Sequence, residues 1–143
     1  PDEAATSDVL RVAWGAMTAY VDAEGVQMLF GCSSFHGTDA ARYLDAFALL
    51  RDRHLAPPRW LPRVKGRDVV RFARDRAAPE RPDPRRALTG MPPLLRSYLA
   101  MGGWVSDHAV VDRDLGTLHV FTGLEIAAIP PARVRRLRGV AAV

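Results

Sequence analysis

Cysteine is almost missing: Cys32 is the single one in 143 residues, which excludes an internal disulfide and any cysteine-based metal cluster. Long apolar runs are missing as well. No stretch approaches the ~20 residues that a membrane-spanning helix requires, because Arg, Asp or Gly interrupts each candidate. The opening PDEAATSD is acidic and no unbroken apolar run follows it, so no secretory signal is read there and a cytoplasmic location is expected. There is no internal repeat. What remains is 48% apolar and 25% charged, the balance of a globular domain with its own core.

Charge is distributed unevenly. Residues 1–50 carry two arginines against seven acids, a net −5. Residues 51–86 carry eleven arginines and one lysine against five acids, a net +7. Residues 87–143 carry six arginines against four acids, a net +2. Such a basic middle either meets an acidic partner or is an Arg-rich loop solvated on the surface.

Apolar periodicity gives the elements. Thr6, Ser7 and Asp8 offer capping oxygens before a helix carrying Leu10, Ala13, Trp14, Met17, Tyr20 and Val21, and Gly25 can stop it. Val26 to Cys32 is apolar apart from Gln27 and reads as a buried, central strand. After a turn at Ser34–Gly37, Thr38 or Asp39 can cap a second helix with Ala41, Leu44, Phe47, Ala48 and Leu50 inward, ending near His54 before Pro57-Pro58. Residues 68–73 suit a strand. Residues 74–86, with three prolines and five arginines, read as an exposed basic loop. A helix over Leu94–Met101 and strands at 104–106, 109–111 and 117–124 follow, with residues 126–143 a basic tail. The fold class is α/β (α+β). A buried strand needs neighbours on both sides, and none precedes Val26, so N-terminal strands are expected to be missing before Pro1.

In open α/β sheets, ligands gather beyond the carboxyl ends of strands. Cys32 to Asp39 occupies that place, with a thiol, two hydroxyls, an imidazole and a helix N-terminus. The segment LFGCSSFHGTD at 29–39, then RHLAPPRW at 53–60, then MPPLLRSYLAMGGWVSDHAVVDRDLGT at 91–117 carry a resemblance. Over residues 8–125 the chain resembles the C-terminal portion of ornithine N-acyltransferases, which begin ornithine-lipid synthesis. The resemblance implies a GNAT-like acyltransferase fold, a 3-hydroxyacyl group on acyl carrier protein as donor, L-ornithine as acceptor and lyso-ornithine lipid as product. It implies no metal and no organic cofactor. The chain begins where relatives have already placed their first strands, and Glu3–Thr6 stands where many carry an Arg and an aromatic residue. Donor binding by this chain alone is accordingly not expected.

Forming an amide from a thioester requires a base for the amine, donors for the oxyanion and a proton for the leaving thiolate. His36 is a candidate relay for the amine proton, or a surface histidine of a loop. Asp39 either holds an ammonium or caps its helix, and Tyr43 either protonates the thiolate or packs in the core. Cys32, Ser33, Ser34, Phe35, Gly37 and Thr38 are candidates to line the substrate site. Asp107, His108 and Asp112, with Asp114 nearby, either select a dibasic acceptor or serve a turn. Trp104, Met101 and Phe121 read as core rather than as an acyl tunnel, though one surface can do both. Cys32 is not expected to be a nucleophile, since direct attack by an amine needs no acyl-enzyme.

Arg59, Arg63, Lys65 and Arg67 are the candidates for docking acyl carrier protein, with peripheral contact to an anionic membrane as a second use of the same charge. Three other readings compete. An acyl-homoserine-lactone synthase would share fold and donor, but nothing here suggests a site for adenosine. A nucleic-acid-binding domain is disfavoured by the acidic first 50 residues and by only Trp60 and Phe72 as aromatics in the basic segment. The third is a non-catalytic or inactive fragment of such an acyltransferase.

Overall fold

A computed structural model describes residues 3–73 and 79–141. Helix α1 (Glu3–Glu24) runs for 22 residues, beginning ahead of the expected Thr6–Asp8 cap. It stops at Gly25, whose φ of 61° only glycine adopts without strain, and Val26 N–H closes the end on Val21 C=O. Strand β1 (Met28–His36) follows. Asp39 then accepts from Ala41 N–H at 3.0 Å, capping a 3₁₀ turn (Ala40–Tyr43) that leads into α2 (Leu44–Arg53).

Strand β2 (Val69–Arg71) is short. Asp83 caps α3 (Pro84–Gly90), so the expected loop ends at Asp83 rather than at Arg86. The reason is local: a side-chain acceptor at Asp83 takes the N–H groups of Arg85 and Arg86, and Pro84 is preset for a first helical turn. Residues 74–78 of that loop lie outside the described residues. Helix α4 (Pro93–Ala100) ends at the Gly102-Gly103 turn. Strands β3 (Trp104–Asp112) and β4 (Thr117–Glu125) form a hairpin, and β3 is continuous where two pieces were expected, with a register shift between Val105 and Ala109. The basic tail is helix α5 (Pro131–Ala141). It packs along α1, where Arg138 pairs with both oxygens of Asp22 at 2.9 and 3.1 Å.

The sheet has the order β1-β4-β3-β2 and every pairing is antiparallel, so the domain is α+β, consistent with a GNAT-like fold. Register sorts its faces. Phe35, Ser33, Gly31 and Leu29 stand opposite Leu118, Val120, Thr122 and Leu124, on the face that carries the core. There Phe47 and Leu50 of α2, Phe72, Met91 and Leu95 meet Phe35, Val105, Ala109, Leu118 and Val120. Phe47 stacks on Phe72 at 4.8 Å and meets Phe35 edge-on at 5.1 Å.

The Val26–Cys32 run is not a central strand in this chain. β1 lies at the sheet's edge, and Phe30, Gly31 and Cys32 are exposed, with Phe30 68% accessible. An apolar run marks a strand that prefers burial on both faces, but it does not place a neighbour beside it.

Candidate functional site

The second face of the sheet carries Phe30, Cys32, Ser34 and His36 from β1. Opposite them on β4 stand Gly123, Phe121, His119 and Thr117, with Asp112 of β3 beside Thr117. This face is apolar at one end and polar at the other.

At the apolar end, Phe30 and Trp104 each lie 6.0 Å from Phe121, ring to ring. The Trp104 indole covers Gly123 so closely that a Cβ there would fall 2.2 Å from the ring. Trp104 is 6% exposed and its buried indole N–H has no partner among the described residues.

At the polar end, one chain of polar contacts crosses three strands. Ser34 Oγ lies 2.8 Å from His119 Nδ1. The other ring nitrogen, Nε2, lies 3.0 Å from Thr117 Oγ1 and 3.3 Å from Asp112 Oδ2. Asp112 Oδ1 accepts from Leu115 N–H at 2.8 Å, which ties the carboxylate into the hairpin turn. That backbone bond first, and the His119 ring after it, hold the Asp112 carboxyl below its ordinary range. His119 is about one-fifth exposed, so its ring is held yet within reach of solvent. Among the described residues no His, Cys, Asp or Glu cluster of three is arranged to take a metal ion.

The candidate residues separate by face. Ser33 turns to the core, where its hydroxyl accepts from Thr122 Oγ1 at 3.0 Å, while Ser34 turns out to His119. Phe35 is fully buried against Tyr43 and Phe47. Tyr43 donates its hydroxyl to the His36 carbonyl at 2.6 Å. Asp39 caps the turn, and Gly37 (φ 81°) donates its N–H to Gly116 C=O at 2.8 Å, joining the end of β1 to the β3–β4 turn. Thr38 lies in the same turn, half-buried. The His36 side chain is exposed at the strand end. Asp107 and His108 pair with each other at 2.7 Å beside the β3 irregularity. They do not join the Ser34–His119 chain.

His119 was not among the residues singled out from sequence. Its one legible signal is alternation: it lies two residues from Thr117 and from Phe121 in a strand read as a strand, hence on their face. Its partner Ser34 is 85 residues away, a pairing that only sheet register reveals.

The basic residues lie beside this face. Along the extended 61–67 segment, Arg63, Lys65 and Arg67 are exposed while Pro62, Val64 and Gly66 are half-buried. Gly66 rests on Val110 and Val69. Arg59 instead holds Glu125 with contacts of 2.9 and 3.1 Å. Elsewhere Arg42, Arg85 and Arg86 line a groove of about 650 Å³ between the Asp39-capped turn and α3.

The chain is 38% identical over 130 residues to the L-ornithine N(alpha)-acyltransferase of Rhodobacter capsulatus. It is homologous to the L-ornithine N(alpha)-acyltransferases. The enzymes of that name from Rhizobium meliloti and Brucella abortus are 31% and 32% identical over 124 and 120 residues. These matches take in 84–90% of this chain. The chain spans about half the length of the curated relatives it matches, 48% of the first and 41–42% of the other two. No family model matches it, and no solved structure does.

Proposed function

We propose that this chain is part of an N-acyltransferase that moves a 3-hydroxyacyl group from acyl carrier protein to the α-amine of L-ornithine, the first step of ornithine-lipid synthesis. The observation that carries the reading is the 130-residue match to an acyltransferase of that name. The second face of the sheet suits the task. Phe30, Phe121 and Trp104 offer an apolar track for an acyl chain, and the polar end of the face offers groups for an amine. Transfer is direct, with Cys32 beside the acyl group and not bonded to it.

The exposed Arg63, Lys65 and Arg67 provide a basic rim for the acidic carrier protein or for an anionic membrane receiving the product. Among the described residues no helix is long and apolar enough to cross a membrane. Of the candidates read from sequence, His36 has an open side chain at the reacting end. Asp39 and Tyr43 support it by holding the turn and the His36 carbonyl.

The protein, joined to the residues that complete a relative's length, is incubated with 3-hydroxyacyl carrier protein and ornithine. Mass spectrometry is expected to show an ornithine amide and free carrier thiol. Acylation of another amine in preference to ornithine, or thioester hydrolysis alone, would overturn the reading.

A further inference from the structure

The Ser34–His119–Asp112 chain has more order than packing requires. Three polar side chains from β1, β4 and β3 are aligned on a sheet face that no hydrogen-bond ladder obliges them to share. Both imidazole nitrogens are engaged: Nδ1 by the Ser34 hydroxyl, Nε2 by Thr117 and the Asp112 carboxylate. A carboxylate only accepts, so the approach of Asp112 Oδ2 assigns the hydrogen to Nε2, with the nearer Thr117 Oγ1 as its acceptor. Nδ1 is then a lone pair aimed at Ser34, whose exposed hydroxyl is the outer end of the chain. A carboxylate holding one nitrogen fixes the tautomer and steadies the charge that appears when the other takes a proton.

We infer that Ser34, His119 and Asp112 form the proton relay of the acyl transfer, an inference that rests on the acyltransferase reading above. The substrate ammonium first loses one proton to water. Its nitrogen attacks the thioester carbon, the C–N bond forms, and the carbonyl electron pair moves to oxygen. The nitrogen's next proton passes to Ser34 Oγ as the Ser34 proton passes to His119 Nδ1. As the tetrahedral centre collapses, the C–S bond breaks with its electron pair on sulfur. His119 returns its proton through Ser34, and the thiol leaves neutral. Ser34 touches the amine, His119 stores the proton, and Asp112 is a positioning residue. His36 and Cys32 are the other titratable side chains that β1 places on this face, and neither is joined to the His119 ring.

The two oxygens of Asp112 make the test selective. Oδ1 holds the turn through Leu115 N–H, and Oδ2 faces His119. In Asp112→Asn the amide oxygen keeps the turn bond while the NH₂ group replaces Oδ2, so a donor meets Nε2. The imidazole must then expel that hydrogen and move it to Nδ1. Nitrogen NMR of the ¹⁵N-labelled protein is expected to show an Nε2–H imidazole at His119 in the native chain and an Nδ1–H imidazole in Asp112→Asn. In the acyl-transfer assay, Asp112→Asn and His119→Gln are expected to lower kcat by roughly 100-fold, the usual scale of a lost acid–base group, with little change in the KM for ornithine. Ser34→Thr, which keeps the hydroxyl, retains more activity than Ser34→Ala.

An Nδ1–H tautomer in the native chain, an unmoved tautomer in Asp112→Asn, or an acyl adduct on Ser34 would overturn the relay. Failure of the native protein to acylate ornithine, with the tautomers as expected, would instead remove the substrate assignment and leave the hydrogen-bond geometry standing.

Discussion

Adjacent residues of one strand can have opposite fates, and β1 shows it at Ser33 and Ser34. One hydroxyl is buried against Thr122 and serves the sheet's interior; the next is exposed against His119 and serves the open face. The dipeptide reads as two equal candidates, and only the register of β4 separates them. Gly123 is a second case where a single atom matters. Its missing Cβ makes room for the Trp104 ring, which lies across it on the second face. Gly123→Ala is expected to force that ring off its seat and cost about 1–3 kcal/mol, the range for an extra methyl in a filled site. Urea unfolding would register this as a lower midpoint with an unchanged slope. A midpoint equal to the native one would mean that the indole has space to give way.

Among elements, β1 carries the greatest tension between sequence and surroundings. Its residues are those of a covered strand, yet among the described residues it is at the edge and presents one row of unpaired backbone groups beside an exposed Phe30. Edges of this kind pair with other chains unless a charge blocks them. The chain is expected to self-associate at tens of micromolar, and Phe30→Lys to shift it toward monomer in sedimentation velocity. Equal association of the two forms would place the contact elsewhere. α5 is the opposite case. Arg133, Arg135, Arg136 and Arg138 mark it in the sequence as a basic tail, but its apolar residues Val134 and Leu137 face Trp14, Met17 and Val21 of α1 across a small apolar gap. A helix whose partner is more than a hundred residues away has no local signal of its docking.

Over the whole molecule, charge is segregated as the sequence indicates, but its use is decided by geometry. Of the four cations proposed for docking, Arg59 is engaged by Glu125, whereas Arg63, Lys65 and Arg67 project together from an extended segment. Reversing these three to Glu is expected to raise the KM for acyl carrier protein about tenfold, since charges at a rim act mainly on encounter. The KM for ornithine should stay the same. Added salt should weaken the native protein's advantage as the Debye length falls below ~8 Å. An unaltered carrier KM and salt response would return the segment to a solvated loop.

The sequence by itself determined what is local. The Gly25 and Gly102-Gly103 stops, the Asp39 cap, the burial of Phe47 and Ala48 on α2 (though Ala41 is exposed and Leu44 half-buried) and the β3–β4 hairpin depend on backbone freedom, nearby acceptors and short periods. The motif runs that carry the family resemblance are equally local, and the Rhodobacter capsulatus enzyme is 38% identical to the chain over 130 residues. The tertiary structure alone decided the edge position of β1, the docking of α5 and the meeting of Ser34, Asp112 and His119. Each of these joins residues far apart in the chain, and the pairing of strands that brings them together is set by the collective burial of the Phe35–Phe47–Val120 core rather than by any one segment. His119 illustrates the division. Its strand and its face follow from alternation, whereas its partners follow only from which strands lie beside it.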